Sequence, residues 1–193
     1  MIIGITGGTG SGKTTLLETV RNFGGLVLDC DEIYHQLLAT NPALLAAIEA
    51  RFPGTVENGQ LQRKKLGTIV FSDESALLDL NRITHAAVKQ EVLRLLQSKP
   101  ALAAIDAIAL FEGGLAELCD VTVAVTAPTE IRIRRLMERD CISEEYARAR
   151  IHAQRTDSWF RKKCDHVLEN DGDKDAFQSK CLAFFAELGI MKA

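Results

Sequence analysis

Short, unbroken apolar runs alternate along this chain with longer stretches in which apolar residues return every three or four positions. That is the pattern of buried parallel strands separated by amphipathic helices. Met1-Ile2-Ile3-Gly4-Ile5 is the first such run, and residues 15–20 follow it as a helix. After Gly24-Gly25, Leu26-Val27-Leu28 forms a second short strand that ends at Asp29-Cys30-Asp31. Residues 32–51 are helical with a break near Asn41-Pro42, 52–59 read as turns, and 61–71 begin another helix. A long helix is predicted over 75–97, where Leu77, Leu80, Thr84, Val88, Val92 and Leu95 form a stripe and Asn81 and His85 share another face. Beyond Pro100, a third strand over 101–106 continues into 107–112, a fourth covers 121–125 and a fifth 166–168. Helices are predicted over 128–139, 143–154, 157–163 and 175–188. Strands alternating with helices predict a three-layer α/β fold around a mostly parallel five-stranded sheet, with no internal repeat.

Composition narrows the class. A chain of 193 residues fits one domain, and 47% hydrophobic with 25% charged residues argues against extensive disorder. Cys30, Cys119, Cys141, Cys164 and Cys181 are scattered, with no C-x-x-C pair and no cluster with His at metal spacing, so disulfide and zinc frameworks are not expected. The N-terminus lacks a basic segment leading into a signal-type apolar run, and nowhere do 18 apolar residues follow one another. A cytoplasmic protein without a membrane partner is expected. Net charge is −3 but unevenly spread: between Arg132 and Lys163 ten Lys/Arg stand against five Asp/Glu, a local balance of +5 that leaves −8 elsewhere. The pI near 5.8 is far below the value of about 9 typical of a nucleic-acid footprint, so a compact polyanion such as ATP fits better.

The joint between the first strand and helix supplies the chemistry. Gly7-Gly8-Thr9-Gly10-Ser11-Gly12-Lys13-Thr14 is a complete G-x-x-x-x-G-K-[ST] phosphate loop in the strand–loop–helix setting the motif requires. Its glycines let successive N–H groups turn toward phosphate oxygens, Lys13 adds a full positive charge, and Thr14 offers its hydroxyl to Mg²⁺. The helix beginning near Gly12 adds partial positive charge. Such a loop grips a nucleoside triphosphate without choosing a reaction.

Other candidates carry two readings each. Asp29 and Asp31 arrive at the C-terminal end of a strand, the edge where open parallel sheets bind ligands, or one of them caps the following helix. Asp31 is the stronger choice to accept or orient the proton of an attacking hydroxyl, or to hold Mg²⁺ through water. Arg132, Arg135 and Arg139 share a helix face, as a triphosphate clamp or as a solvated surface. Asp106 ends an apolar strand in the manner of a Mg²⁺-associated carboxylate, and His85 is a substrate contact or a half-buried structural residue. Trp159 and Phe160 read as packing anchors.

Taken in order, these stretches resemble the dephospho-CoA kinase family over almost the whole chain. The resemblance is carried by 4–14, Asp29-Cys30-Asp31, Leu61-Gln62-Arg63 with Ile69-Val70-Phe71, Leu80-Asn81-Arg82-Ile83-Thr84-His85, Asp106, Leu110-Phe111-Glu112, Arg139-Asp140, Arg150-Ile151-His152-Ala153-Gln154 and Asn170-Asp171-Gly172. It implies that Gly8, Thr9, Gly10, Ser11, Gly12, Lys13, Thr14 and Thr15 hold ATP and Mg²⁺, that Asp31 is the catalytic carboxylate, and that Arg139 belongs to a lid over ATP. It further implies that Arg63, His85 and Asp106 lie with Asp31 on the acceptor side and that Asn170 lies near the adenine of ATP. One kinase domain over 1–193 is expected, with an acceptor-binding helical region at about 32–97, a lid at about 132–163 and no obligate protein partner. The reaction implied is transfer of the ATP γ-phosphoryl group to the 3′-hydroxyl of the dephospho-CoA ribose. Ala86, Ile108 and Gln62 depart from the Pro, Pro and Asp usual in the family, which touches the acceptor side and no phosphate-handling group. The phosphate loop and lid alone would equally fit a kinase for another small hydroxyl or nucleotide acceptor. A regulatory switch is disfavoured by the lack of an N-K-x-D guanine-reading element.

Overall fold

Five strands lie side by side in the order β2-β5-β1-β6-β7, every neighbouring pair parallel. They are β1 (Ile2–Thr6), β2 (Leu26–Asp29), β5 (Ala103–Asp106), β6 (Val121–Thr126) and β7 (His166–Glu169). The computed structural model describes residues 1–190, so the last three residues of the single domain expected over 1–193 lie outside the described residues. Parallel strands need crossovers, and helices supply them: α1 (Lys13–Asn22), α2 (Cys30–Thr40), α3 (Pro42–Arg51), α4 (Arg63–Val70), α5 (Glu74–Leu96), α6 (Thr129–Asp140), α7 (Glu144–His152), α8 (Asp157–Lys163) and α9 (Lys174–Glu187). A short 3-10 turn covers Ala116–Leu118. Among the described residues no helix is long and apolar enough to cross a membrane.

The sheet separates two cores because successive strand side chains point to opposite faces. Ile3, Ile5, Val121, Val123 and Val125 pack on one side with Leu16 and Val20 of α1 and Phe177, Phe184 and Phe185 of α9. Leu28 and Ile105 face the other side, where α2, α3, α4 and α5 contribute Ile33, Leu37, Ile48, Leu66 and Val92. This is the three-layer arrangement the alternation predicted. Side-chain oxygens of Asp29, Asn41, Asp73, Ser143, Thr156 and Asp173 accept N–H groups at the starts of α2, α3, α5, α7, α8 and α9, satisfying donors that a helix leaves orphaned.

Two expectations are corrected. Residues 52–59 are not turns alone: β3 (Val56–Glu57) and β4 (Gln60–Leu61) pair as a small antiparallel hairpin around Asn58-Gly59, both with positive φ, which takes Leu61 out of the helix expected from 61 onward. Residues 107–112 do not continue the third strand. The chain leaves the sheet after Asp106 and turns, burying Leu110 in the core and leaving Ile108 on the surface of a cavity.

Candidate active site

Between the end of β1 and the start of α1 the phosphate loop wraps the floor of a cavity of about 840 Å³. Gly12 stands at the helix start with φ 93°, and a Cβ there would fall 2.2 Å from the Asn170 amide nitrogen, so both conformation and space require glycine. α1 has neither a side-chain cap nor an acidic residue in its first turn, which leaves its end free to favour an anion. Lys13 Nζ donates to the Gly7 carbonyl at 3.0 Å, folded over the loop, and Thr14 lies exposed on the cavity wall. Gly8, Thr9, Gly10, Ser11 and Gly12 line the same wall, and Thr15 does not.

Three carboxylates close the side opposite. Asp29 and Asp106 are partners in the β2–β5 register, which brings both to one sheet edge. Asp29 accepts the N–H groups of Asp31 and Glu32 at 2.9 and 3.0 Å, so it is the cap of α2. Asp31 is thereby relieved of capping and faces the cavity. The capping reading is realised on Asp29, and Asp31 is left on the cavity wall. Burial, reinforced by Asp29 and Asp31 and opposed by Lys13, pushes the Asp106 carboxyl up to about 6. Burial likewise pushes the neighbouring Cys30 thiol up to about 12, far from any nucleophilic role.

Beyond Asp31 lies a second cavity of about 240 Å³, walled by Tyr34, Asn81, Thr84, His85 and Val88. Asp31, Ala107 and Ile108 line both cavities, and of these only Asp31 can exchange a proton. His85 is half-buried there, its pKa lowered by burial against the opposing influence of Glu112. Arg63 stands outside both cavities, in contact with His35 Nδ1 at 3.2 Å.

The arginines of α6 separate by depth and form neither a uniform clamp nor a solvated face. Arg132 is only 4% exposed and donates to the Thr9 carbonyl. Arg135 reaches the cavity and also donates to Asn170 at 3.1 Å. Arg139 lines the cavity, held by both oxygens of Asp140 at 2.7 and 3.0 Å, and Arg150 donates to the same carboxylate at 2.6 Å. The two guanidiniums draw Asp140 down to about 2, so it stays an anion that orients them. Asn170 is buried beneath the loop, where its Nδ2 donates to the Ser11 carbonyl at 2.9 Å.

Mg²⁺ suits this donor set. Thr14, Asp31 and Asp106 offer hard oxygen atoms around the phosphate loop, and among the described residues no group of three or more His, Cys, Asp or Glu forms a cage of its own. Mg²⁺ keeps several waters and takes one or two carboxylates plus substrate phosphates. Sequence reasoning did not single out Tyr34 or the Gln154 and Arg150 side chains as cavity walls. Tyr34 had a signal, one helical turn after Asp31; Gln154 and Arg150 reach the cavity only through tertiary packing.

The family described as dephospho-CoA kinase matches residues 1–176. A dephospho-CoA kinase of Geobacillus kaustophilus is 37% identical, the match covering 97% of this chain and 96% of that one. Among solved structures, TT1252 from Thermus thermophilus superposes with a TM-score of 0.81 at 34% identity, covering 97% of each chain. A dephospho-CoA kinase from Campylobacter jejuni superposes with a TM-score of 0.68 at 26% identity over 98% of each.

Proposed function

The chain belongs to the dephospho-CoA kinase family and catalyses ATP-dependent phosphorylation of dephospho-CoA in coenzyme A biosynthesis; from that premise we propose how its residues divide the work. One observation carries the proposal: Asp31 is the titratable residue on the wall common to the phosphate-loop cavity and the mostly apolar cavity of α2 and α5. ATP occupies the first, its phosphates against 8–14, with Asn170 fixing the loop on the adenine side. The acceptor's ribose end occupies the second, against His85, with Asp106 at the boundary and Arg63 reached by a more distant part of the acceptor. α2–α5 thus form the acceptor region and α6–α8 the lid.

Phosphoryl transfer is achieved mainly by positioning and charge neutralisation. Asp31 orients the 3′-hydroxyl and takes its proton as the oxygen–phosphorus bond forms and the bond from the γ-phosphorus to ADP breaks. Lys13 exchanges the Gly7 carbonyl for phosphate oxygens, and Arg139 turns from Asp140 to the transferred group. Thr14, with Asp31 through water, would hold Mg²⁺ beside the ATP phosphates, where the ion would supply charge neutralisation.

Product analysis by mass spectrometry tests this, with purified protein, Mg-ATP and dephospho-CoA run beside AMP, adenosine and pantothenate. Dominant formation of CoA and ADP is expected. Phosphate on another acceptor with dephospho-CoA untouched would overturn the acceptor assignment, and free phosphate alone would overturn the kinase reading.

A further inference from the structure

The phosphate-loop pattern fixes Gly7, Gly12, Lys13 and Thr14, yet this loop carries two more glycines, Gly8 and Gly10. Gly8 has no positive φ; what excludes a side chain is space, because a Cβ would lie 2.1 Å from Nη2 of Arg132. At Gly10 a Cβ would meet the Arg132 carbonyl oxygen at 2.9 Å. Gly8 thus makes room for the Arg132 side chain, while Gly10, whose φ of 75° already favours glycine, lies against the Arg132 backbone; this arginine is buried and lines neither cavity described above.

Arg132 and Gln154 converge on a single residue, Thr9. Arg132 Nε donates to the Thr9 carbonyl at 2.9 Å, and the Thr9 N–H donates to Gln154 Oε1 at 2.8 Å. Arg132 Nη2 donates to that same Gln154 oxygen at 3.3 Å, closing the ring, while Nη1 faces Asp157 at 3.5 Å. Arg132 lies near the start of α6, and Gln154 lies just beyond α7. Both backbone polar groups of Thr9 are thus held from opposite ends of the α6–α7 hairpin. Burial lowers the Arg132 pKa, a cost this position bears while lining neither cavity described above.

We propose that Arg132 and Gln154 are positioning residues for phosphoryl transfer: together they clasp Thr9 and make the tip of the phosphate loop follow the attitude of the α6–α7 hairpin. Closure of the hairpin over ATP then adjusts the loop directly, through protein bonds as well as through the nucleotide. The kinetic part rests on the kinase reading above, whereas the clasp itself is measurable in nucleotide-free protein.

Amide hydrogen exchange of the phosphate-loop segment, without nucleotide, is compared for the wild type, Gln154→Leu, Gln154→Glu, Arg132→Lys and the Arg132→Lys/Gln154→Leu double variant. Gln154→Leu speeds loop exchange by about fivefold to tenfold, the loss of the bond from the Thr9 N–H, with sheet exchange unchanged. Its kcat falls by roughly tenfold to 100-fold while the KM for ATP changes much less, since misplacement at the reacting centre costs rate. Gln154→Glu keeps both acceptor bonds and so keeps slow loop exchange, its added charge appearing as a higher KM for ATP. The double variant exchanges no faster than the faster single one, because both side chains act on Thr9. Unchanged loop exchange in Gln154→Leu, equally fast exchange in Gln154→Glu, or multiplying effects in the double variant would overturn the clasp. Expected exchange with no transfer to dephospho-CoA by the wild type would leave the clasp standing and overturn the acceptor reading.

Discussion

Asp29 and Asp31, two residues apart, hold two jobs that one aspartate would have to choose between. Asp29 spends its acceptor capacity on the α2 N-terminus, and Asp31 is left facing both cavities. Asp29→Ala should therefore cost about 1 kcal/mol of stability, a fall in Tm of roughly 2–4 °C by calorimetry. Asp31→Asn should leave Tm unchanged and lower kcat by about 10²–10⁴-fold in a coupled ADP assay. Equal Tm loss in both variants would contradict this division. Asp106 adds a pH effect. Its carboxyl is raised to about 6 by burial in the folded chain, above its ordinary value of 3.8. The native state then binds more protons than the unfolded state between about pH 4 and 6, so stability declines as pH rises through that window. Asp106→Asn should raise Tm at pH 7 and flatten the decline between about pH 4 and 6, read by calorimetry in nucleotide-free protein with EDTA.

At the scale of elements, the central strands were legible because parallel strands buried on both faces need continuous apolar runs, as over 2–5 and 121–125, while the half-buried edge strands over 26–29 and 166–169 were marked by short apolar runs between turns. The β3–β4 hairpin was not legible, since two-residue strands leave no periodicity to detect and only Asn58-Gly59 marked it. The site divides in the same way. The phosphate loop is local in sequence and was read in full, and Asp31 and His85 were named from a strand end and a helix face. The depth of Arg132 and the approach of Gln154 depend on how α6 and α7 dock on the loop, which no local pattern contains. Packing elsewhere follows simpler rules. Phe185 of α9 is fully buried against α1 and the sheet, so Phe185→Ala should cost about 3–5 kcal/mol and lower Tm by roughly 10 °C in thermal unfolding.

Across the whole molecule, the α6–α7 hairpin has a small core of its own. Ile133, Leu136 and Ala147 pack with Ile142 and Ile151, apart from the two cores that flank the sheet. A segment with an independent core opens without unfolding the rest. Leu136→Ala should therefore speed amide exchange through 129–152 and raise the KM for ATP, while exchange in β1, β5 and β6 stays slow; uniform acceleration would refute that independence. The sheet order has a separate consequence. β2 and β5 are neighbours, with Leu26 opposite Ala103 and Asp29 opposite Asp106, so the excursion 30–102 leaves and rejoins the sheet on adjacent strands. The helices proposed to hold the acceptor all lie in that one stretch, whereas the phosphate loop and the α6–α8 lid are encoded outside it. Most of the wall that meets the acceptor can therefore be rewritten within a single contiguous piece of gene, provided Asp31 is kept and 107–115, which complete the cavity, still fit.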